Sequence, residues 1–162
     1  MFQQKTEALF ARMGEHQVMC LATGSEGRVT ARSMSVILVG EKLYFQTDRR
    51  MTKYRQLSAE PRAALCWQNV QLEGVCRELG HPLLAENQFF AERYQRHFAS
   101  SYQKYSAMPD ERLFEFSPTL ISVWDYENGL PYQEFFDFAA QQYRRADYSC
   151  QQSTKAERSP SR

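Results

Sequence analysis

No apolar run in this 162-residue chain exceeds about five residues, far short of the roughly 20 needed to span a bilayer as a helix. The N-terminus, Met1-Phe-Gln-Gln-Lys-Thr-Glu7, has no apolar signal region, so a soluble protein without a leader or membrane contact is expected. Cysteine is scarce, at four residues without C-x-x-C spacing. Most lie in apolar runs where a free thiol behaves as a small hydrophobe, which predicts a reduced, cytoplasmic setting. The three histidines share no metal-ligand spacing with one another or with cysteine, so no metal site is expected. With seven glycines, the chain has no Gly-rich phosphate loop and no G-x-S-x-G elbow. Charge of one sign is also lacking: the net is +1, which gives no general attraction to nucleic acid.

What is present suits one globular domain with a β-rich core: 43% hydrophobic, 24% charged and 14% aromatic residues. Phe2, Leu9, Phe10 and Met13 recur at helical spacing and Gly14 ends the pattern, predicting a short amphipathic helix. Gln17–Thr23, Arg28–Val39 and Lys42–Thr47 follow as three strands with tight turns, an antiparallel meander. Met51–Leu57 makes about two helical turns before Pro61. Arg62–Trp67 and Val70–Leu79 add two strands, and Glu86–Tyr105 is the longest helical pattern, with an aromatic stripe of Phe89, Phe90, Tyr94 and Phe98. Core packing is the ordinary role for such a stripe. Leu113–Phe116 and Thr119–Tyr126 return to strand, and Asn128-Gly129 turns the chain towards a last strand, Tyr132–Phe138. The division expected is a domain over 1–140 and a polar C-terminal tail over 141–162, the tail carrying a net +3. Six or seven hairpin-linked strands with inserted helices indicate a mainly β, α+β domain of barrel-like form.

Alternation in the Arg28 strand places Thr30, Arg32, Met34, Val36 and Leu38 on one face. Arg32 is the exception among them, and a guanidinium on a core-facing surface requires a carboxylate or a bound anion. Thr47 ends the next strand, and Thr52 and Lys53 stand at the start of the short helix, where backbone N–H groups and a cation could meet a phosphate. The alternative is an internal pair between Arg32 and Asp48 or Glu73, with Arg49, Arg50 and Lys53 a solvated basic turn. Glu73 could also act as a general base, or pair with Arg77.

Three segments, Ala31–Ile37, Tyr44–Leu57 and Asn69–Gly74, resemble in order and spacing the pyridoxamine 5'-phosphate oxidase-like family of FMN-binding split β-barrels, particularly its small general-stress-protein-like members. The resemblance extends over roughly residues 5–138. It implies an antiparallel split β-barrel with flanking helices, a homodimer with the cofactor site at the interface, and FMN as cofactor. Carried over by position, it assigns Arg32 and Lys53 to the FMN phosphate and Ser33, Met34, Ser35, Val36 and Ile37 to the isoalloxazine ring. Gln46, Thr47, Thr52 and Asn69 complete the set. Gln46 stands where the family has an aromatic residue, and Asn69 where it has glutamine. Nothing after Phe138 resembles the arginine- and proline-containing segment with which the oxidase proper grips the vitamin phosphate. The reading is therefore a flavoprotein oxidoreductase acting on an unidentified small molecule, with pyridoxamine phosphate oxidation itself doubted and no catalytic residue assigned. The alternative is a non-catalytic binding or sensing module of the same fold, holding flavin, haem or no cofactor.

Overall fold

The computed structural model describes residues 1–148. A helix α1 (Phe2–Met13) precedes a meander of β1 (His16–Ser25), β2 (Arg28–Val39) and β3 (Lys42–Asp48). Helix α2 (Thr52–Ala59) follows, then β4 (Arg62–Trp67) and β5 (Val70–Glu78). A helical excursion built around α3 (Gln88–His97) leads to β6 (Glu111–Glu127), β7 (Leu130–Asp137) and β8 (Gln142–Asp147). All pairings are antiparallel, in the order β3-β2-β1-β4-β5-β6-β7-β8, and a second pairing of β3 with β6 closes the first six listed strands into a barrel. Closure pairs β3 on both sides and covers much of the strand edge that an open meander would present. The turns carry the residues their backbone requires: Glu26-Gly27 and Asn128-Gly129 both take two consecutive positive φ values, 51° and 77°, and 52° and 78°, as two-residue hairpins favour.

The barrel is filled from the inner faces of its strands by Met19, Leu21, Val36, Leu43, Phe45, Leu65, Leu72 and Phe116, each at most 1% exposed. Helix α1 stops one end, burying Phe2, Leu9, Phe10 and Met13 in the same cluster. Gly74 sits where β5 shifts register against β6. A Cβ there would lie 2.5 Å from both the Phe116 ring and the Ser117 carbonyl oxygen, so only glycine allows the strands to approach this closely.

Two features differ from the sequence-based expectation, whereas the aromatic stripe packs as core, as expected. The helix expected over 86–105 is broken: α3 ends at His97, the backbone of Phe98 (φ −130°, ψ 52°) leaves the helical region, and a short turn and a π-helical segment, Tyr102–Ser106, continue the excursion. Ile37, Tyr44, Phe90, Tyr94 and Leu113 bury one another outside the barrel, so the aromatic stripe packs on the wall. Eight strands form, because residues expected to open the polar tail pair with β7 as β8. There Tyr143 packs on Phe136, while Arg144 and Arg145 stack on Phe135 and Tyr132 at 4.2 and 3.9 Å. Cation–π contact and aromatic packing hold a strand that polar composition hides. The tail from 149 to 162 lies outside the described residues.

The feature that positions a site is a split in the wall. β2 and β3 pair only through Ile37↔Tyr44, Leu38↔Leu43 and Val39↔Lys42. Beyond these couples β3 follows β6 while β2 stays with β1, so among the described residues no strand pairs with residues 28–36 of β2 on one side.

Candidate functional site

Helix α2 sits beside this split and is tied to the barrel through Gln56, which is 4% exposed. Its Oε1 accepts from Thr23 Oγ1 at 2.6 Å and Thr30 Oγ1 at 2.7 Å, and its Nε2 donates to the Arg28 carbonyl at 3.2 Å. The same hydroxyls hold Arg32. Its Nη1 donates to Thr23 Oγ1 at 2.8 Å and the Leu21 carbonyl at 3.2 Å, and its Nη2 to Thr30 Oγ1. These oxygens orient the guanidinium without cancelling its charge. Neither partner considered from sequence is used: Asp48 pairs with Arg50 at 2.7 Å, Glu73 is outward-facing, and Arg77 pairs with Glu115.

Lys53, half-buried in the first turn of α2, stands close enough to Arg32 for the two cations to repel. Burial, first, and then Arg32 lower its pKa, while Glu111 and Asp48 oppose the shift. Burial also lowers that of Arg32. Among the described residues neither cation makes an ion pair. The N-terminus of α2 adds to the excess, since its cap residue, Met51, supplies no side-chain hydrogen bond and its first turn holds no acidic residue. Two desolvated cations beside an uncapped helix end form an electrostatic vacancy for an anion.

Adjoining it is a cavity of about 260 Å³. Strands contribute Met34, Gln46, Thr47, Asp48 and Glu111 to its lining, α2 and the turn before it Arg50, Met51 and Lys53, and the helical excursion and the loop after it Tyr94, Tyr105 and Met108. Asp48 is held as the anion, down at about 2, by hydrogen bonds from the Arg50 guanidinium and backbone N–H. Glu111 behaves oppositely: burial, with Asp48 nearby, raises its carboxyl to about 7, against the pull of Lys53 and a hydrogen bond with Gln46.

Of the residues assigned by resemblance, the structure gathers Met34, Gln46, Thr47 and Lys53 around the cavity, with Arg32 next to Lys53. Gln46 is engaged, accepting from Ser106 Oγ at 2.8 Å. Thr52 borders a neighbouring open cleft with Arg28 and Arg55. Ser33 points outward, Ser35 lies near Tyr94, and Val36 and Ile37 are fully buried in the two apolar clusters. Asn69 lies in the β4–β5 turn, where its Nδ2 donates to the Trp124 carbonyl at 2.8 Å and its Oδ1 accepts from Arg12 at 3.3 Å. The sequence reading omitted Thr23, Gln56 and Glu111. Thr23 carried one signal, a hydroxyl on the inward-facing register of β1. Gln56 lies one turn beyond Lys53 on α2, but its partners Thr23 and Thr30 are met only through packing of that helix on the barrel, and Glu111 reaches the site on a strand distant in sequence.

The comparisons with known proteins agree with this architecture. The family model described as pyridoxamine 5'-phosphate oxidase matches residues 4–125. Pyridoxine/pyridoxamine 5'-phosphate oxidase of Burkholderia multivorans is 38% identical over 96 residues, which are 58% of this chain and 43% of that protein. The chain thus aligns with less than half the length of this curated relative. Among solved structures, PhzG of Burkholderia lata, in complex with tetrahydrophenazine-1-carboxylic acid, superposes with a TM-score of 0.59 at 16% identity, covering 90% of this chain and 88% of that one. A pyridoxamine 5'-phosphate oxidase-related, FMN-binding protein of Nostoc punctiforme gives 0.57 at 17% identity, over 90% and 92% of the two chains. HutZ, the haem storage protein of Vibrio cholerae, gives 0.57 at 14% identity, over 72% and 89%. Fold likeness at such identity spans different ligands, but the family match covers most of the chain: this protein is a member of the pyridoxamine 5'-phosphate oxidase family, built as a split β-barrel.

Proposed function

We propose that this chain binds FMN with its phosphate on Arg32 and Lys53, and that it is an oxidoreductase of a small molecule. The carrying observation is the pair of half-buried cations at the N-terminus of α2, Arg32 held by neutral oxygens and neither cation in an ion pair among the described residues. A phosphate monoester supplies the missing charge, and each charge-assisted contact is worth roughly 1.5–3 kcal/mol. Bound flavin would supply two-electron redox chemistry, and the protein its anchoring and orientation. Met34 and the free edge of β2 stand beside the phosphate position, where the ring would extend, and Thr47 adds a hydroxyl on the opposite wall.

A homodimer completes this reading. The cavity falls below the roughly 300–1,000 Å³ usual for small-molecule pockets, so one protomer encloses only part of a flavin. The outward face of β2, β1 and β4 carries Val29, Ala31, Ser33, Val18, Cys20 and Cys66, exposed and free of charge, a surface suited to a second copy. The setting proposed remains cytoplasmic, in keeping with free thiols on this face.

An absorption spectrum of the purified protein, with and without added FMN, tests the reading. Flavin bands that persist through gel filtration and bleach with a nicotinamide donor are expected. A protein that stays colourless after incubation with FMN would sink it. The second reading, a module that stores or senses a planar ligand, is favoured by the engagement of both Asn69 amide atoms with Trp124 and Arg12. A Soret band on addition of haem, with no flavin retained, would establish it.

A further inference from the structure

Glu111 is the one residue of the cavity whose charge nothing in the fold settles. It opens β6 directly across from Asp48 in the β3–β6 register, so the two carboxyls share a face, with Cβ atoms about 5 Å apart. Asp48 is committed to Arg50 through three hydrogen bonds. Glu111 is 5% exposed and, among the described residues, has no ion pair. The groups facing it are Asp48 and Gln46 from β3, Lys53 from α2, and Tyr94 from α3, with Arg50 and Tyr105 also on the cavity wall. Its own neighbours are committed elsewhere: Asp110 to Arg49 and Arg50, and Arg112 to Glu78 and the Pro109 carbonyl. Lys53 is thus the nearby cation that favours its ionised form.

That same Lys53 is the cation assigned above to the ligand phosphate, on which this step rests. We propose that Glu111 is the proton-exchanging group of the cavity: its carboxylate takes a proton from solvent when an anionic ligand engages Lys53, and keeps it in the pocket as a neutral carboxylic acid. Two changes act in one direction. The phosphate draws off the positive charge that stabilised the carboxylate, and it adds a negative charge nearby. The free carboxyl already titrates near neutrality, at about 7, so a modest push leaves it protonated at physiological pH. By linkage, anion affinity falls as pH rises above this value, by at most tenfold per pH unit. The bound state then holds a carboxylic acid beside the ligand, placed to donate a hydrogen bond or a proton.

Calorimetry of FMN binding in buffers of different ionisation enthalpy, at pH 7.5 and 8.5, measures the proton directly. Wild type is expected to take up a fraction of a proton per FMN more than Glu111→Gln, a difference that removes the phosphate's own ionisation. The affinity of Glu111→Gln should also change less with pH. Binding with the same proton count in both proteins overturns the assignment and leaves the FMN reading intact. If wild type binds no FMN, the FMN reading fails, and the same titration with inorganic phosphate decides Glu111: no binding, or no difference in protons, overturns it. Should Glu111→Gln not fold, carbon-13 NMR of the wild-type glutamate carboxyls replaces it. One buried carboxyl must then titrate near neutrality and move upward when FMN or phosphate is added; a midpoint that stays fixed is the contrary result.

Discussion

Two charge clusters on this barrel are built in opposite senses. Behind α3, two arginines and a histidine converge on one carboxylate: Arg93 at 3.0 Å, Arg96 at 3.6 Å and His97 at 2.7 Å all reach Glu15, and His16 stacks on His97 at 4.0 Å between centroids. At the split, Arg32 and Lys53 face each other with only neutral oxygens to hold the arginine. The first cluster fastens the excursion to the start of β1 and is complete in itself. The second is incomplete, and the fold bears a repulsion there that an anion would relieve. A surplus of arginine says little about function; an arginine oriented but not neutralised says much more.

The comparison breaks most sharply if the split is stripped of charge. The double variant Arg32→Ala/Lys53→Ala should weaken FMN binding on the order of 100-fold or more, since two charge-assisted contacts are lost. Fluorescence quenching of FMN measures this, and an unchanged Kd would place the phosphate elsewhere. Gln56→Leu keeps both cations but removes the acceptor shared by Thr23 and Thr30. It should lower stability by about 1–3 kcal/mol in urea unfolding and weaken FMN binding only several-fold.

Glu111 sets a pH dependence opposite in sense to that of Glu15, whose carboxyl its partners hold below the ordinary value. Its folded carboxyl titrates at about 7, above the ordinary 4.5, so the native state holds the proton more tightly than the unfolded chain. The stability this contributes is complete below 4.5 and is lost as pH rises through 7. The unfolding free energy of the wild type in urea titrations should therefore fall across this window, by on the order of 1–3 kcal/mol, and that of Glu111→Gln should fall less. The smallest effect is expected from Glu15→Gln. Tm should drop slightly while FMN affinity stays put, because the completed cluster serves the excursion alone. A loss of FMN binding in that variant would abolish the distinction between the two clusters.

Much of the barrel was legible because its signals are local. Alternation along β2 gave the face of Arg32 correctly, and the Asn128-Gly129 pair marked its hairpin. The β3–β6 closure was not legible, since it joins segments more than 60 residues apart through backbone pairing. Its consequence, the placement of Glu111 in the cavity, was hidden with it. The break at Phe98 and the strand β8 were missed for a related reason. Helical periodicity does not register a local change of backbone, and polar composition does not register arginines lying on aromatic rings. In the candidate site, the residues that carry charge were visible in sequence, whereas Thr23 and Gln56, which aim that charge, became visible only through tertiary contacts.

The brevity of the β2–β3 pairing also makes the site observable without any chromophore. Along residues 28–36, alternate amides point to an edge where, among the described residues, no strand receives them. In hydrogen–deuterium exchange these amides should lose protection in a two-residue rhythm, fast on the open side and slow on the side of β1. A ligand or second protomer seated against the edge would slow only the fast set. The strand would thereby report occupancy residue by residue.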